Sequence, residues 1–290
     1  MRHSHRKLCR YGARALVALS LVGFGIRPCI AQEVTVDSSA EAKAHYKYFE
    51  QQANKLSLVV AESGERLKLR ESPLQSFFSG GPTYGSVYLW LDSQKKPAAV
   101  GTLGSLPIGG TDYGFAEIHW LLKKPLEPVM IGGGNPRRWA PSGQDTEGKR
   151  LDDVAPPAPS DTARLVQMRA IAREFEAVMI QGEQRNTLRL LTQPLYRYAD
   201  SSDEFDGALF AWVWTIGTDP ELLMHIYTEK NDQQTAWHYQ PVRFTWRALE
   251  LKRRNLEVWR ADEFFKRNEM NQVGPYITTL TQAVELEPSK

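Results

Sequence analysis

One stretch of this sequence occurs twice, and this repetition constrains the fold more than any other feature. Residues 67–77, LKLRESPLQSF, align with residues 188–198, LRLLTQPLYRY, at an offset of 121 residues. At an offset of 122, TYGSVYLW at 83–90 aligns with FDGALFAW at 205–212. Two consecutive blocks at nearly one offset indicate an internal duplication.

A helical pattern precedes the repeated block in each unit. Residues 40–61 carry apolar side chains at spacings of three and four, which predicts one amphipathic helix. The same spacing recurs after Asp161, a plausible N-cap, and continues through Val178 to a stop signal at Gly182. We therefore expect a helix at the start of each unit.

After each helix the apolar period falls to two, which is typical of strands. Residues 207–216 are apolar on both faces, so we expect this strand to lie in the centre of its sheet. Residues 220–229 predict the next strand, and residues 247–261 predict a hairpin about the turn at 253–255.

The fold class expected from these patterns is α+β, internally duplicated, each unit a helix followed by an antiparallel sheet of about five strands. We expect a signal peptide at 1–31, a first α+β unit at 32–131 and a Gly- and Pro-rich connector at 132–160. A second α+β unit at 161–265 and a C-terminal tail at 266–290 complete the chain. The element order is similar to a cystatin-like or nuclear-transport-factor-like helix on a curved sheet.

The N-terminus has the pattern of an export signal. Basic residues precede the apolar run at 15–26, and Cys29-Ile30-Ala31 supplies small residues at the peptidase positions, so we expect cleavage after about Ala31. The apolar run is short for a membrane span, which disfavours the alternative of an uncleaved anchor and predicts no transmembrane span after cleavage.

Cleavage would change the charge and remove both cysteines. Residues 1–31 contain six of the 36 basic side chains and none of the 34 acidic ones, which leaves residues 32–290 with a formal charge of about −4. This sign disfavours nucleic acid as a partner. Both cysteines, Cys9 and Cys29, lie in the leader, so the mature chain is expected to have no disulfide and no thiolate site.

The second unit resembles a known family. RLVQMRAIAREFEA at 164–177, LRLLTQPLYRYADSSDEFDGALFAWVWTIGTDPELLMHIY at 188–227 and LEVW at 256–259 are similar to uncharacterised exported proteins found in many copies in planctomycete bacteria. The likeness covers about residues 40–262, and FAEIHWLL at 115–122 departs from the Ser-rich strand end of that family. The resemblance implies export and a shared fold, and it brings no activity or catalytic residue.

Histidines supply one candidate site. His119 and His238 align in the repeat at an offset of 119, and Glu117 lies two residues before His119 on the same strand face. Two imidazoles and a carboxylate could bind zinc or move a proton. The alternative, which we favour, is that each histidine joins a sheet face to solvent.

Aromatic residues supply a second candidate site. Tyr88, Trp90, Phe210 and Trp212 alternate on the predicted strands and could line a sugar- or peptide-binding groove. Core packing explains them as well, and we favour it. The acidic stretch 199–206, ADSSDEFD, lacks the spacing of a calcium loop and predicts a solvated turn.

Common catalytic and phosphate-binding motifs are absent from the sequence, so we expect no cofactor. The function remains unknown at this level. We expect an exported, non-enzymatic binding or structural protein of the cell envelope, whose partner is an unknown protein or envelope component. The alternative is a periplasmic hydrolase or metal-dependent enzyme with its site between the two units.

Overall fold

The computed structural model describes residues 39–79, 83–199, 205–214, 217–230, 234–266 and 271–286. The predicted signal peptide therefore lies outside the described residues. Residues Val34–Lys290 form one compact unit. It is built mainly of antiparallel sheet with two helices, an arrangement that agrees with the α+β class. Within the described ranges, no helix has the length and apolarity that crossing a membrane would need.

Helix α1 spans Ala40–Lys55 and helix α2 spans Asp161–Arg173. A serine caps each helix: the hydroxyl of Ser39 accepts a hydrogen bond from the Ala42 amide, and that of Ser160 accepts one from Ala163. Ser160, and not the predicted Asp161, is therefore the second N-cap.

Both helices are shorter than predicted. Helix α1 ends at Lys55 instead of residue 61, because Leu56 is already extended. Helix α2 ends at Arg173, because the next residues form a strand with buried side chains at every second position, beginning with Phe175. Gly182, with a φ of 60°, lies in the turn after that strand and does not end the helix.

The strands are numbered in chain order. They are β1 Val59–Val60, β2 Glu65–Arg66, β3 Lys68–Leu69, β4 Gln75–Ser79, β5 Thr83–Leu91, β6 Pro97–Ile108, β7 Thr111–Trp120, β8 Val129–Ile131, β9 Arg137–Trp139, β10 Lys149–Arg150, β11 Phe175–Gln181, β12 Gln184–Thr187, β13 Arg189–Leu190, β14 Tyr196–Ala199, β15 Asp206–Val213, β16 Pro220–Lys230, β17 Thr235–Arg243, β18 Ala248–Arg253, β19 Leu256–Ala261, β20 Asn271–Gln272 and β21 Tyr276–Ala283.

Two large antiparallel sheets dominate the molecule. The first sheet has the order β21-β7-β6-β5-β3, and β4 also pairs with β5. The second has the order β10-β17-β16-β15-β13, and β14 also pairs with β15. Strand β15 is thus an interior strand, which confirms the prediction from its two apolar faces. Smaller sheets join β12-β11-β18-β19, β20-β9-β8 and β1-β2.

The two large sheets pack face to face, with a helix on each outer side. One core lies between α1 and the first sheet, and another lies between α2, β11, β18 and the second sheet. A third core, which includes Leu89 and Leu209, fills the space between the sheets. Alternate residues of β5 and β15 therefore enter different cores, which explains why both strands are apolar on both faces.

Two segments outside the predicted units complete the large sheets. The expected tail at 266–290 contains β21, which pairs with β7 at the edge of the first sheet. The expected connector at 132–160 contains β10, which pairs with β17 in the second sheet. Trp139 of the same connector is buried and donates its indole hydrogen bond to the carbonyl of Gly274.

Candidate functional site

Strand β7 brings two of the predicted site residues to one face. Ala116, Ile118 and Trp120 belong to the core under α1. Because side chains alternate along a strand, Glu117 and His119 point the other way, toward the second sheet. The expectation that they share a face therefore agrees with the structure.

His119 is held as a neutral hydrogen-bond acceptor. Its side chain is 4% exposed, and Nδ1 lies 3.2 Å from the carbonyl oxygen of Arg243. A carbonyl can only accept, so Nδ1 carries the proton and Nε2 keeps a lone pair. No described residue forms a hydrogen bond with Nε2. Burial lowers the pKa of His119 to about 3, so the ring is uncharged at neutral pH.

His238 lies apart from this group. Its Nδ1 is 3.3 Å from the Ala236 carbonyl oxygen, its Nε2 is 3.7 Å from Glu229, and its ring stacks on Tyr227. The prediction that His238 lies with Glu117 and His119 is therefore wrong: the structure brings only Glu117 and His119 together. Among the described residues, no three His, Asp or Glu side chains are arranged to hold a metal ion.

The strand register also corrects the alignment of the two histidines. Trp90 pairs with Ala99, which pairs with Trp120, whereas Trp212 pairs with Leu222, which pairs with Arg243. If Trp90 is matched with Trp212, as the proposed repeat requires, the pairing register matches His119 with Val242. The sequence alignment had assumed small insertions between the blocks. It therefore matched His119 with His238, four residues before Val242.

Glu117 takes part in a polar cluster between the sheets. The hydroxyl of Tyr276 donates a hydrogen bond of 2.7 Å to Glu117 Oε1. Burial raises the pKa of Glu117 to about 7, and the neighbouring Glu221 adds to the shift. Burial also raises the pKa of Glu221 and, together with both glutamates, that of Asp219. Within this cluster, Glu117 can therefore exchange a proton near neutral pH.

A cleft of about 480 Å³ opens beside His119, and we name it the His119 cleft. Its volume lies within the range of ligand sites in proteins. Its walls come from β7, β17, β19, β20, β21, the turn after β19 and the segment between β9 and β10 that contains Asp145. The lining side chains used below are His119, Asp145, Arg243, Trp259, Arg260, Asp262, Glu263, Phe264 and Tyr276.

The two arginines of the His119 cleft already have partners within the protein. Arg243 donates hydrogen bonds to the carbonyls of residues 245–247, and its guanidinium lies 4.9 Å from the centre of the Tyr276 ring. Arg260 lies 3.4 Å from Glu250 and 3.9 Å from Asp262. These contacts indicate that both arginines stabilise the walls.

Two carboxylates of the His119 cleft form no ion pair with a described residue. They are Asp145 and Glu263, and both line the opening. The cleft thus combines a neutral nitrogen acceptor on its floor, two carboxylates and the rings of Trp259 and Phe264. Such a set accepts hydrogen bonds, and its carboxylates favour positive charge at the opening, whereas the guanidinium of Arg243 disfavours it close to His119.

The four aromatic residues proposed for a groove lie in the cores instead. Tyr88 and Trp90 are buried under α1, and Phe210 and Trp212 are buried under α2. They cannot line an open groove in this conformation, and core packing accounts for their spacing.

Sequence reasoning missed the C-terminal part of the His119 cleft. Tyr276 lies within the segment 266–290 that we expected to be a tail, and Phe264 lies two residues before that segment. The alternation in YITTLTQA at 276–283 was the available signal, since it is a strand pattern. Local periodicity does not reveal that this strand pairs with β7, which lies about 160 residues earlier in the chain.

The chain has no match among protein-family models, curated proteins or solved structures.

Proposed function

We propose that this protein is an exported, non-enzymatic binding protein whose His119 cleft takes a ligand with a positively charged amine. The observation that carries the proposal is the chemistry of the cleft: His119 offers Nε2 as a fixed acceptor, while Asp145 and Glu263 line the opening and form no ion pair with another described residue. A protonated amine has only donors and would satisfy all three groups. Such an amine could belong to a partner protein or to an envelope component.

The rigidity of the site supports recognition. The hydrogen bond from Nδ1 fixes the ring of His119, and Arg243 is itself fixed by three backbone carbonyls. A preorganised acceptor loses little conformational freedom on binding, which favours affinity. The low pKa of His119 keeps this acceptor uncharged, so it does not repel a cation at neutral pH.

Calorimetric titration with cadaverine tests the proposal, with 1-pentanol as the uncharged match. We expect cadaverine to bind and His119→Ala to weaken binding at least tenfold. His238→Ala is the matched control, since His238 does not line the cleft, and we expect less than a twofold change. No heat with cadaverine, or equal effects of the two substitutions, would refute the proposed ligand class.

We propose further that the two halves arose by duplication. The register of one pair of strands supports this origin: Leu103 pairs with Ala116 where Ile226 pairs with Tyr239, and both positions differ by 123 residues. The same shift relates the pair Ser105 and Gly114 to the pair Thr228 and Trp237. It also relates the pairing of Ala99 with Trp120 to that of Leu222 with Arg243.

Export is tested at the N-terminus. If the leader is cleaved as proposed, N-terminal sequencing of protein secreted by its own cells should begin at about Gln32. A protein that still carries residues 1–31 would refute cleavage.

Glu117 favours a second candidate function, a hydrolase that uses acid–base catalysis. A carboxyl with a pKa of about 7 suits proton transfer at neutral pH, and its partner Tyr276 lines the His119 cleft. A panel of nitrophenyl esters and glycosides tests this alternative. The hydrolase account expects turnover that falls at least 100-fold in Glu117→Gln and is unchanged in Glu127→Gln, an exposed control. Absence of turnover across the panel would leave the binding function alone.

A further inference from the structure

A second cavity lies under helix α1, on the face of β7 opposite the His119 cleft. We name it the α1 pocket, and its volume is about 250 Å³. One wall is formed by Phe49 of the helix and by Leu56, which directly follows it, and the floor is formed by Leu103, Ala116 and Ile118 of the first sheet. The pocket therefore occupies the layer in which the rest of the first core is closely packed.

The second half of the molecule fills the corresponding space. On the first sheet, Ala116 pairs with Leu103, and at the matching register of the second sheet Tyr239 pairs with Ile226. Tyr239 is buried under α2, and its ring packs on Phe175 at a centroid distance of 4.9 Å. An alanine thus stands in the first half where a buried tyrosine ring stands in the second.

A second pair of positions also differs in size, although Thr281 of β21, and not open space, lies beside the glycine of this pair. Gly114 lines the α1 pocket, and the matching position of the second sheet is Trp237, which is 1% exposed. Protein interiors are normally packed with few voids larger than a water molecule, and each unfilled space costs stability. The open pocket in one half, at the place of the buried Tyr239 ring in the other, is therefore a difference that a bound ligand would explain.

The lining of the α1 pocket defines the class of ligand. Most of its side chains are apolar, including Ile118 and Ile131. Among the described residues that line it, Lys55 alone carries a charge. Polar groups from Gln52 and Gln282 accompany it. This combination fits an apolar chain inside the pocket and an anionic group beside Lys55.

We propose that the α1 pocket binds a small amphipathic carboxylate, with its chain against the floor that contains Ala116 and its carboxylate next to Lys55. The pocket is slightly smaller than the about 300 Å³ at which typical drug-sized sites begin, so a short chain fits it better than a protein segment. The proposal does not depend on the His119 cleft, because the two cavities share no lining residue.

Calorimetry of the purified protein with decanoate and with 1-decanol tests the ligand class. We expect both to bind, because the chain supplies most of the buried apolar area, and decanoate to bind about tenfold more tightly. Lys55→Ala should remove this preference and leave decanol binding unchanged. Lys43→Ala, an exposed lysine on the same helix that does not line the pocket, should change neither affinity. Decanoate that fails to bind, or a preference that survives Lys55→Ala, would overturn the proposal.

Filling the pocket tests its location. Ala116→Tyr copies the residue of the second half and should weaken decanoate binding at least tenfold, with the melting temperature unchanged or higher. If this variant does not fold, Leu103→Phe reduces the same space from the neighbouring strand and should weaken binding in the same direction. His119→Ala should leave decanoate binding intact, so failure of this site is separable from failure of the amine site. Unchanged affinity in a folded pocket-filling variant would overturn the assignment.

Discussion

At the scale of single residues, burial moves two neighbouring side chains of β7 in opposite directions. Burial raises the pKa of Glu117 to about 7 and lowers that of His119 to about 3. Both shifts favour the neutral form, as desolvation requires. One strand therefore presents a protonated or readily protonated carboxyl beside an imidazole that stays uncharged.

The raised pKa of Glu117 predicts a pH-dependent contribution to stability. The folded pKa lies above the unfolded value of 4.5, so the contribution is fully present below pH 4.5 and is lost as the pH rises through about 7. His119 has the opposite slope between about pH 3 and 6.5. The two effects therefore offset each other in part in the wild-type protein.

Glu117→Gln isolates the contribution of this carboxyl. Relative to the variant, the wild-type protein should lose up to about 3 kcal/mol of unfolding free energy between pH 4.5 and 8. Urea unfolding of both proteins across this range measures the difference. Parallel stability curves for the two proteins would show that Glu117 ionises at its ordinary pKa.

Asp206 is a second residue whose environment can be tested. It was predicted to lie in a solvated turn, but it is 1% exposed and forms ion pairs with Arg164 and Arg197. Removing one partner of a buried ion pair leaves the other charges uncompensated, which costs about 3–5 kcal/mol. We expect Asp206→Asn to lower the unfolding free energy by about this amount.

An exposed aspartate provides the control for Asp206. Asp152 pairs with Arg150 at the surface, where ion pairs contribute about 0–1 kcal/mol. Asp152→Asn should therefore change the urea midpoint little. If both substitutions had equally small effects, the buried ion pairs of Asp206 would not stabilise the fold.

At the scale of elements, the role of strand β21 could not be predicted from its position in the sequence, because it lies in the segment that we expected to be a tail. It pairs with β7 and places Tyr276 beside His119 and Glu117. Tyr276 and Ile277 are buried, and each buried apolar side chain contributes about 1.5–3 kcal/mol. The strand is thus both an edge of the first sheet and a wall of the His119 cleft.

Truncation tests the contribution of β21. A chain that ends at Gly274 should lose about 3–6 kcal/mol of unfolding free energy, together with cadaverine binding. A chain that ends at Glu285 keeps the whole strand and should melt like the full chain. Thermal unfolding followed by circular dichroism measures both. A stable, cooperatively melting chain without β21 would contradict its role in the sheet.

Elements with a local signal could be predicted, and elements defined by distant partners could not. The alternation in β15, and the Arg254 and Asn255 turn with positive φ between β18 and β19, follow from nearby residues. The end of α2 was missed because Phe175 and Val178 fit a helical spacing as well as a strand. Their pairing with β18, about 75 residues later, selected the strand.

The candidate site was predictable only in part, for the same reason. Glu117 and His119 share a strand face by simple alternation, so their proximity follows from sequence. The contact of His119 with Arg243, and that of Glu117 with Tyr276, join residues more than 120 positions apart. A four-residue error in aligning the repeat then assigned His238 to the place that Val242 occupies.

At the scale of the whole molecule, two helix-covered sheets share an inner core and leave cavities on both sides of β7. The His119 cleft opens on the side of this strand that faces the second sheet, and the α1 pocket lies on the side that faces the helix. We assign an amine to the first cavity and an amphipathic carboxylate to the second. A single strand would therefore contribute to two sites of opposite ligand charge.

The most direct test of the central claim is an NMR measurement of the imidazole nitrogens of His119, with and without cadaverine. The account predicts a neutral ring with its proton on Nδ1 from pH 5 to 8, and a shift of the Nε2 signal when cadaverine binds. The imidazole signals of His238 should not respond to cadaverine. A His119 ring that takes up a proton near pH 6.5, or an Nε2 signal that cadaverine leaves unchanged, would contradict the account.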